Sequence, residues 1–494
     1  MTYFERVLVA NRGEVAIRVM RACREMGIDT VSIYSESDRN SLHVKYADES
    51  FLVGEAHPSK SYLNQDRIID IAKKSDTDAI HPGYGFLAEN AVFARRCEEE
   101  GITFIGPSWR SIEAMGSKLG SKRIMDKAGV PVLPYTPEGI TTLDEAKKIS
   151  SAIGYPVIVK ASAGGGGIGM QIVEDEDSLE EAIEKGMRIA TSAFGDPTVF
   201  IEKYLSKPRH IEVQLLADKS GHKIHLYDRE CSIQRRHQKL VEEAPCPIMT
   251  DELRERMSTS ALKVAEASGY YNAGTVEFLY ADGEYYYMEM NTRLQVEHTV
   301  TEMVTGVDLV RQQIAIAGDE DLPFEQDDIV LNGHAIECRI NAEDPLNNYQ
   351  ADAGKIVRYR SPGGPGIRVD SGIHMGYSIP PMYDSMISKL CAWGRTRTES
   401  VERMRRAIFE YVIIGVKTTL PLHLAIMNNR SFIAGDTHTH FLQEDHMQKN
   451  LSRFIREEET RMQTLAGSLR HGKEAAAISA AVSLYISQQQ NRAK

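Results

Sequence analysis

The chain has 494 residues, 42% hydrophobic and 26% charged, a length that outgrows one hydrophobic core and predicts two to four domains. Its 70 acidic against 58 basic side chains, a net charge of −12, argue against a nucleic-acid surface, and no run of about 18 apolar residues could cross a membrane. Six cysteines (Cys23, Cys97, Cys231, Cys246, Cys338, Cys391) stand far apart with no Cys-x-x-Cys pair, and residues 1–12 lack an export signal, so a soluble, cytosolic protein with plain thiols is expected.

Residues 7–10 read as a buried strand. Residues 15–26 read as a helix, with Ala16, Val19, Met20, Cys23 and Met26 on one stripe and Arg18, Arg21 and Arg24 off it. Strand 30–34 follows, then helix 65–74, strand 79–81, helix 91–100 and strand 103–105. This alternation predicts a parallel, doubly wound sheet over residues 1–116. Its first turn, Asn11-Arg12-Gly13-Glu14, lacks the glycine fingerprint of a dinucleotide site. The turn HPGYGF, residues 81–86, follows a strand end where open sheets bind ligands; it also reads as a simple Pro/Gly turn.

From Met115 to about residue 331 the pattern is mixed α+β, with 132–205 as a subdomain. Both GSK strings, at Gly116 and Gly120, lack the Ser/Thr and the preceding strand of a Walker loop. The run VKASAGGGGIGMQIV instead places its glycines between two short apolar strands, 156–160 and 170–173, as a hairpin flap. Glycines let several N–H groups face one anion, which suits a phosphate chain, although such runs also serve as plain flexible loops. Lys160 beneath the flap tips the reading toward phosphate.

Strands 276–280 and 284–290 form a hairpin about Asp282-Gly283. Alternation puts Glu277 on one face of its strand and Glu289 with Asn291 on one face of the partner. If those faces coincide, two carboxylates and an amide oxygen converge, and a hard cation such as magnesium would relieve their repulsion; a solvent-facing Glu pair is the alternative. Arg293, Gln295, Glu297 and His298 follow at once, where Arg can bind a planar anion and a carboxylate beside it can accept a proton. His210, Glu212, Gln234, Arg235, Arg236, His237 and Lys239 make a basic cluster, an anion pocket or a solvated face. Arg339 sits in a half-buried strand and needs an anionic partner. A third, mainly β segment covers 332–446. The charged tail, 447–494, is read as helical, with Ile478, Val482, Tyr485 and Ile486 at helical spacing in a stripe suited to docking.

In this order, ANRGEVAIRV, HPGYGFLAEN, MGSK, KASAGGGGIGM, RHIEVQ, QRRHQKLVEEAP, EMNTRLQVEHTVTE and ECRINAEDP resemble the biotin carboxylases of the ATP-grasp superfamily, to about residue 446. The resemblance implies a Rossmann-like N-terminal domain (1–116), an ATP-grasp domain (117–331) with a mobile lid (132–205), a mainly β C-terminal domain (332–446) and a helical tail. It implies ATP at Lys118, Lys160, Gly164, Gly165, Gly166, Gly167, Glu202, Lys203, Leu205, His210, Gln234 and His237. Magnesium or manganese would lie at Glu277, Glu289 and Asn291, bicarbonate at Lys239, Arg293, Gln295 and Val296, and biotin at Tyr84 and Arg339. Catalysis would fall to Glu297, Arg293, Arg339 and Lys239: Glu297 takes a proton from bicarbonate, carboxyphosphate and ADP form, and biotin attacks the carbon dioxide released.

Two positions depart from the family pattern: Ile168 replaces a frequent Arg in the glycine loop, and Pro365 replaces an aromatic near the bacterial dimer interface. Arg18, Arg21 and Glu25 match the interface helix, which implies a homodimer. The chain has no Ala-Met-Lys-Met biotinylation motif, so the biotin carrier and carboxyltransferase belong to separate chain(s). The tail resembles that of the biotin carboxylase subunit of two-subunit pyruvate carboxylases, which puts pyruvate carboxylase ahead of acetyl-CoA or propionyl-CoA carboxylase. An ATP-grasp ligase with an amine acceptor is the alternative enzyme class.

Overall fold

The computed structural model describes residues 4–140, 142–162 and 170–444, together with 447, 449–457, 460, 461 and 464. The glycines Gly164 to Gly167, Ile168 and the proposed stripe at 475–487 lie outside the described residues.

The N-terminal sheet is wholly parallel. Its strands β1 (Arg6–Val9), β2 (Asp29–Ser35), β3 (Glu49–Gly54), β4 (Ala79–His81) and β5 (Thr103–Phe104) lie in the order β3-β2-β1-β4-β5. Helices α1 (Gly13–Glu25), α2 (Leu42–Tyr46), α3 (Gln65–Lys74), α4 (Ala91–Glu99) and α5 (Trp109–Gly116) join and cover the strands. The expected stripe of α1 is buried at Ala16, Val19, Met20 and Cys23. Sequence reasoning did not find β3, whose apolar residues Phe51, Leu52 and Val53 run consecutively at a sheet edge instead of alternating.

After α6 (Lys118–Lys127) and α7 (Leu143–Ile153), the strands β6 (Val157–Ala161), β7 (Gln171–Val173) and β8 (Val199–Lys203) form a small antiparallel sheet, with α8 (Leu179–Phe194) between β7 and β8. Val157, Val159, Val173, Leu179, Val199 and Ile201 give this unit a core of its own. Its first strand starts one residue later than expected, because Pro156 has no N–H to give and the ladder begins at Val157.

The central strands are β9 (Arg209–Ala217), β10 (Lys223–Arg235), β11 (Gln238–Ala244), β12 (Asn272–Ala281) and β13 (Glu284–Asn291), with α9 (Asp251–Ala267), α10 (His298–Thr305) and α11 (Leu309–Ala317) packed around them. Then come β14 (His334–Asn341), two small pairs made by β15 (Glu343–Asp344) with β16 (Gln350–Ala351) and β17 (Arg358–Arg360) with β20 (Val412–Ile414), and the long strands β18 (Ile367–Ser371) and β19 (Met386–Gly394). Eight strands form one antiparallel sheet in the order β13-β12-β9-β10-β11-β14-β19-β18. The sheet therefore runs straight across residue 332, because β14 pairs with β11 from Ala335 to Cys338. Helices α12 (Arg397–Glu410), α13 (Leu420–Met427) and α14 (Arg430–Ile433) cover the far end, and Met447, Leu451 and Ile455 of the tail join that core. All six cysteines are buried and free, and no helix among the described residues is long and apolar enough to cross a membrane.

Candidate active site

The expected hairpin forms with both turn residues, Asp282 and Gly283, at positive φ, and Ala281 pairs with Glu284. Glu277 stands directly opposite Glu289, and Asn291 stands opposite Thr275, so the two faces coincide. On the other side Glu277 pairs with Glu212 of β9, which pairs with Arg229 of β10. One rung of the sheet thus carries Arg229, Glu212, Glu277 and Glu289 in a row. Adjacent like charges on a rung destabilise a sheet unless cations lie over them.

Lys239 of β11 is that cation. Its Nζ donates to Glu212 at 2.5 Å, Glu277 at 2.6 Å and Glu297 at 2.7 Å. Burial opposes the charge on this ammonium, but the three carboxylates outweigh it and hold its pKa well above the usual value. Arg229 is fully buried and gives its donors to Glu212, Gln214, Thr301 and Thr275. Glu277 accepts further bonds from Asn291 at 2.8 Å and Gln295 at 3.0 Å, and His210 Nε2 lies 3.1 Å from it. Gln234 donates to His210 Nδ1 at 2.7 Å, which leaves the imidazole Nε2 to face Glu277.

Glu297 is the first residue before α10, yet its side chain does not cap that helix. Its other oxygen accepts from Arg339 Nη2 at 2.8 Å, while Arg339 Nε is held by Glu242 at 2.7 Å. Burial would raise the Glu297 carboxyl, but Lys239, Arg339 and Arg229 hold it far below the usual range. Glu242 faces Glu337 across β11 and β14, and burial pushes both carboxyls up against the pull of nearby cations. Arg293 bonds Glu89 at 2.8 Å, Asn291 at 3.0 Å and Gln295 at 2.9 Å, which ties the end of β13 and the segment after it to the loop after HPGYGF.

The nucleotide candidates lie along the small sheet and its base. Glu202 is buried between Lys122 and Lys160; burial opposes ionisation, but the two ammonium groups lower its carboxyl from 4.5 to about 2. Its side chain is therefore committed to lysines, and an adenine contact at 202 would come from the backbone. Lys203 donates to the carbonyls of Gly154 and Tyr155, and Leu205 lies in the half-buried link to β9. Lys118 Nζ stands 3.9 Å from Glu289. His237 occupies the tight turn between β10 and β11. The basic cluster divides here: Gln234, His237 and Lys239 face the site, whereas Arg235 pairs with Glu343 and Arg236 with Asn348.

A hard divalent cation fits the Glu277–Glu289 pair by its chemistry. Burial and the facing Glu277 push the Glu289 carboxyl up, and a cation with oxygen ligands would remove that repulsion. The Asn291 oxygen accepts from Arg293 in this structure, so that ligand would have to be exchanged. A second convergence, His210 with Glu212 and Glu277, already holds the Lys239 ammonium.

Tyr84 reaches the same region from the N-terminal sheet, its hydroxyl donating to Glu14. Gly83 in this turn has φ +65°, and a Cβ there would lie 2.8 Å from the Asn11 amide that braces the loop, so glycine is required. Val296 accepts at its carbonyl from Lys389. Arg18, Arg21 and Glu25 line an open cleft of about 360 Å³ with Arg368 and Asp370. Sequence reasoning missed Lys122, Arg229, Glu242, Glu337, Glu89, Glu14 and Lys389. Lys122 was within reach, since it follows Lys118 by one helical turn; the others converge only through the strand order.

Comparisons with known proteins follow the same path. The families described as biotin carboxylase, N-terminal domain, as carbamoyl-phosphate synthase L chain, ATP binding domain, and as biotin carboxylase C-terminal domain match residues 3–112, 118–325 and 337–444. A pyruvate carboxylase subunit of Methanothermobacter thermautotrophicus is 58% identical over 485 residues, 98% of this chain and 99% of that protein. Biotin carboxylase 1 of Bacillus subtilis is 52% identical over 441 residues, 89% of this chain and 98% of its own. The biotin carboxylase domain dimer of Hydrogenobacter thermophilus 2-oxoglutarate carboxylase, solved with MgADP, ADP and bicarbonate, superposes with a TM-score of 0.87 at 52% identity, covering 89% of this chain and 97% of that one.

Proposed function

The chain belongs to the biotin carboxylases, and from that premise we propose that it uses ATP and bicarbonate to carboxylate biotin on a separate carrier protein, as the biotin carboxylase subunit of a pyruvate carboxylase. The observation that carries the chemistry is the Glu297 carboxylate held between Lys239 and Arg339, beside the opposed Glu277 and Glu289. The likeness to the Methanothermobacter pyruvate carboxylase subunit extends through the tail, whereas that to the Bacillus protein covers 441 residues; this supports pyruvate as the final acceptor.

With both cations on it, Glu297 is too weak a base to deprotonate bicarbonate. Bicarbonate brings its own negative charge to Lys239 and Arg293; as Lys239 turns from Glu297 to the substrate, Glu297 regains basicity. It then takes the O–H proton. A bicarbonate oxygen attacks the γ-phosphorus, the bond to the bridging oxygen breaks, and ADP leaves with the electron pair. Carboxyphosphate next breaks its carbon–oxygen bond to give carbon dioxide and phosphate. The phosphate is the strongest base at hand and accepts the ureido N–H proton of biotin, whose nitrogen bonds to the carbon dioxide while Arg339 stabilises the charge on the ureido oxygen. Gln295 and Val296 hold bicarbonate, and Tyr84 borders biotin. Lys118, Lys160, His210, Gln234 and His237 hold the nucleotide with Lys203, Leu205 and the backbone at Glu202. Glu277, Glu289 and Asn291 are suited to magnesium or manganese, which when bound neutralises phosphate charge.

The divisions at residues 116, 331 and 446, the lid over 132–205, a homodimer through the cleft at Arg18, Arg21 and Glu25, and a cytoplasmic location complete this reading. ADP release by the purified chain with ATP, magnesium and free biotin tests it. Release that requires bicarbonate supports the proposal; release indifferent to bicarbonate overturns it.

A further inference from the structure

Lys389 is a fully buried cation that the chemistry above leaves unused. On β19 it stands directly opposite Arg339 of β14 on one side and Asp370 of β18 on the other, in the same rung of the sheet. Glu14, Glu337 and Asp370 all face its ammonium, with Arg368 opposing them. Yet the hydrogen bond it makes goes to none of these carboxylates. Nζ donates to the carbonyl of Val296 at 2.9 Å, in the turn that leads into Glu297.

That carbonyl belongs to the peptide unit whose other end is the Glu297 amide. Because the unit is planar, fixing the direction of the carbonyl fixes where the Glu297 side chain starts. Behind the ammonium, Glu14 Oε2 lies 3.4 Å away as an ion pair, and Glu14 Oε1 accepts from the Tyr84 hydroxyl. The Tyr84 ring centroid is 5.8 Å from Nζ. One buried cation therefore touches the bicarbonate turn and, through a single carboxylate, the loop that borders biotin.

We infer that Lys389 is a positioning residue: its ammonium sets the Gln295–Val296–Glu297 turn and, through Glu14, ties the Tyr84 loop to that turn, holding the bicarbonate and biotin subsites in register. The inference rests on the carboxylation reading and adds to it a residue that touches neither substrate. Without the ammonium, the part-buried Val296 carbonyl loses the donor that Lys389 supplies, and the turn loses the bond that fixes its direction.

The test compares the full-length chain with Lys389→Met in ADP release against bicarbonate and against free biotin, alongside equilibrium binding of a non-hydrolysable ATP analogue. The expected result is a fall of at least about ten-fold in kcat/KM for bicarbonate with analogue affinity within about two-fold. Tyr84→Phe is expected to raise the KM for free biotin in the parent chain and to add nothing in the Lys389→Met chain, because the link it breaks is already open. If Lys389→Met fails to fold, the pair Glu14→Gln and Lys389→Met, which removes both charges, is measured in the same way. The inference is overturned if kcat/KM for bicarbonate stays within about two-fold. It is equally overturned if analogue affinity falls in the same proportion, or if the Tyr84→Phe and Lys389→Met effects add. ADP release indifferent to bicarbonate in the parent chain would instead defeat the carboxylation reading.

Discussion

Glu297→Gln keeps the size of the side chain and removes the proton acceptor. Bicarbonate-dependent ADP release should fall by about 100-fold or more while affinity for an ATP analogue stays within about two-fold. Equal loss of both would make Glu297 a structural anchor for Lys239 and Arg339. Glu202 makes a different prediction, of stability against pH. Its folded pKa, about 2, lies below the usual 4.5, so its contribution is present above about pH 4.5 and is lost as pH falls toward 2. Glu202→Gln should cost about 3 kcal/mol near pH 7, with the difference from the parent chain closing between pH 4.5 and 2, in denaturant titrations at several pH values. A pH-independent difference would mean that Lys122 and Lys160 do not hold this carboxylate ionised. At this scale the sequence revealed residue types better than partners. Glu277, Glu289, Asn291 and Glu297 stood out by alternation and by crowding in one stretch. Glu242 and Glu337 did not, because nothing local says that β11 lies beside β14.

Among the elements, the hairpin was legible to its turn, since Asp282 and Gly283 adopt the positive φ that such residues permit. The first βαβ units were legible by period. The edge strand β3 was not, nor was the continuity of the eight-stranded sheet past residue 332, because pairing between distant strands leaves no periodic trace. The tail was read as helical, and residues 449–457 are so; what the sequence did not reveal is that Leu451 and Ile455 are buried with Met404, Ile408 and Phe441. Leu451→Ala and Ile455→Ala should each cost about 2–5 kcal/mol and lower the thermal midpoint of the C-terminal unit. An unchanged midpoint would mean that this stretch does not belong to the core.

For the molecule as a whole, the continuous sheet carries Lys239, the Glu277–Glu289 pair and Arg339, while Lys118 comes from α6, Lys160 from the small sheet and Tyr84 from the loop after β4 of the parallel sheet. The chain carries a carboxylation site and no Ala-Met-Lys-Met carrier motif. Supplied with ATP, magnesium, bicarbonate and pyruvate alone, it should form no oxaloacetate, and adding a biotinylated carboxyltransferase chain should start its formation. Oxaloacetate from the single chain would overturn the division of labour proposed here. The central claim is that a bicarbonate oxygen attacks the γ-phosphorus. Turnover with ¹⁸O-labelled bicarbonate in unlabelled water measures this directly. The account predicts one ¹⁸O in each phosphate released, left behind when carboxyphosphate breaks its carbon–oxygen bond. Phosphate that carries no label would show that water attacks ATP and would contradict the account.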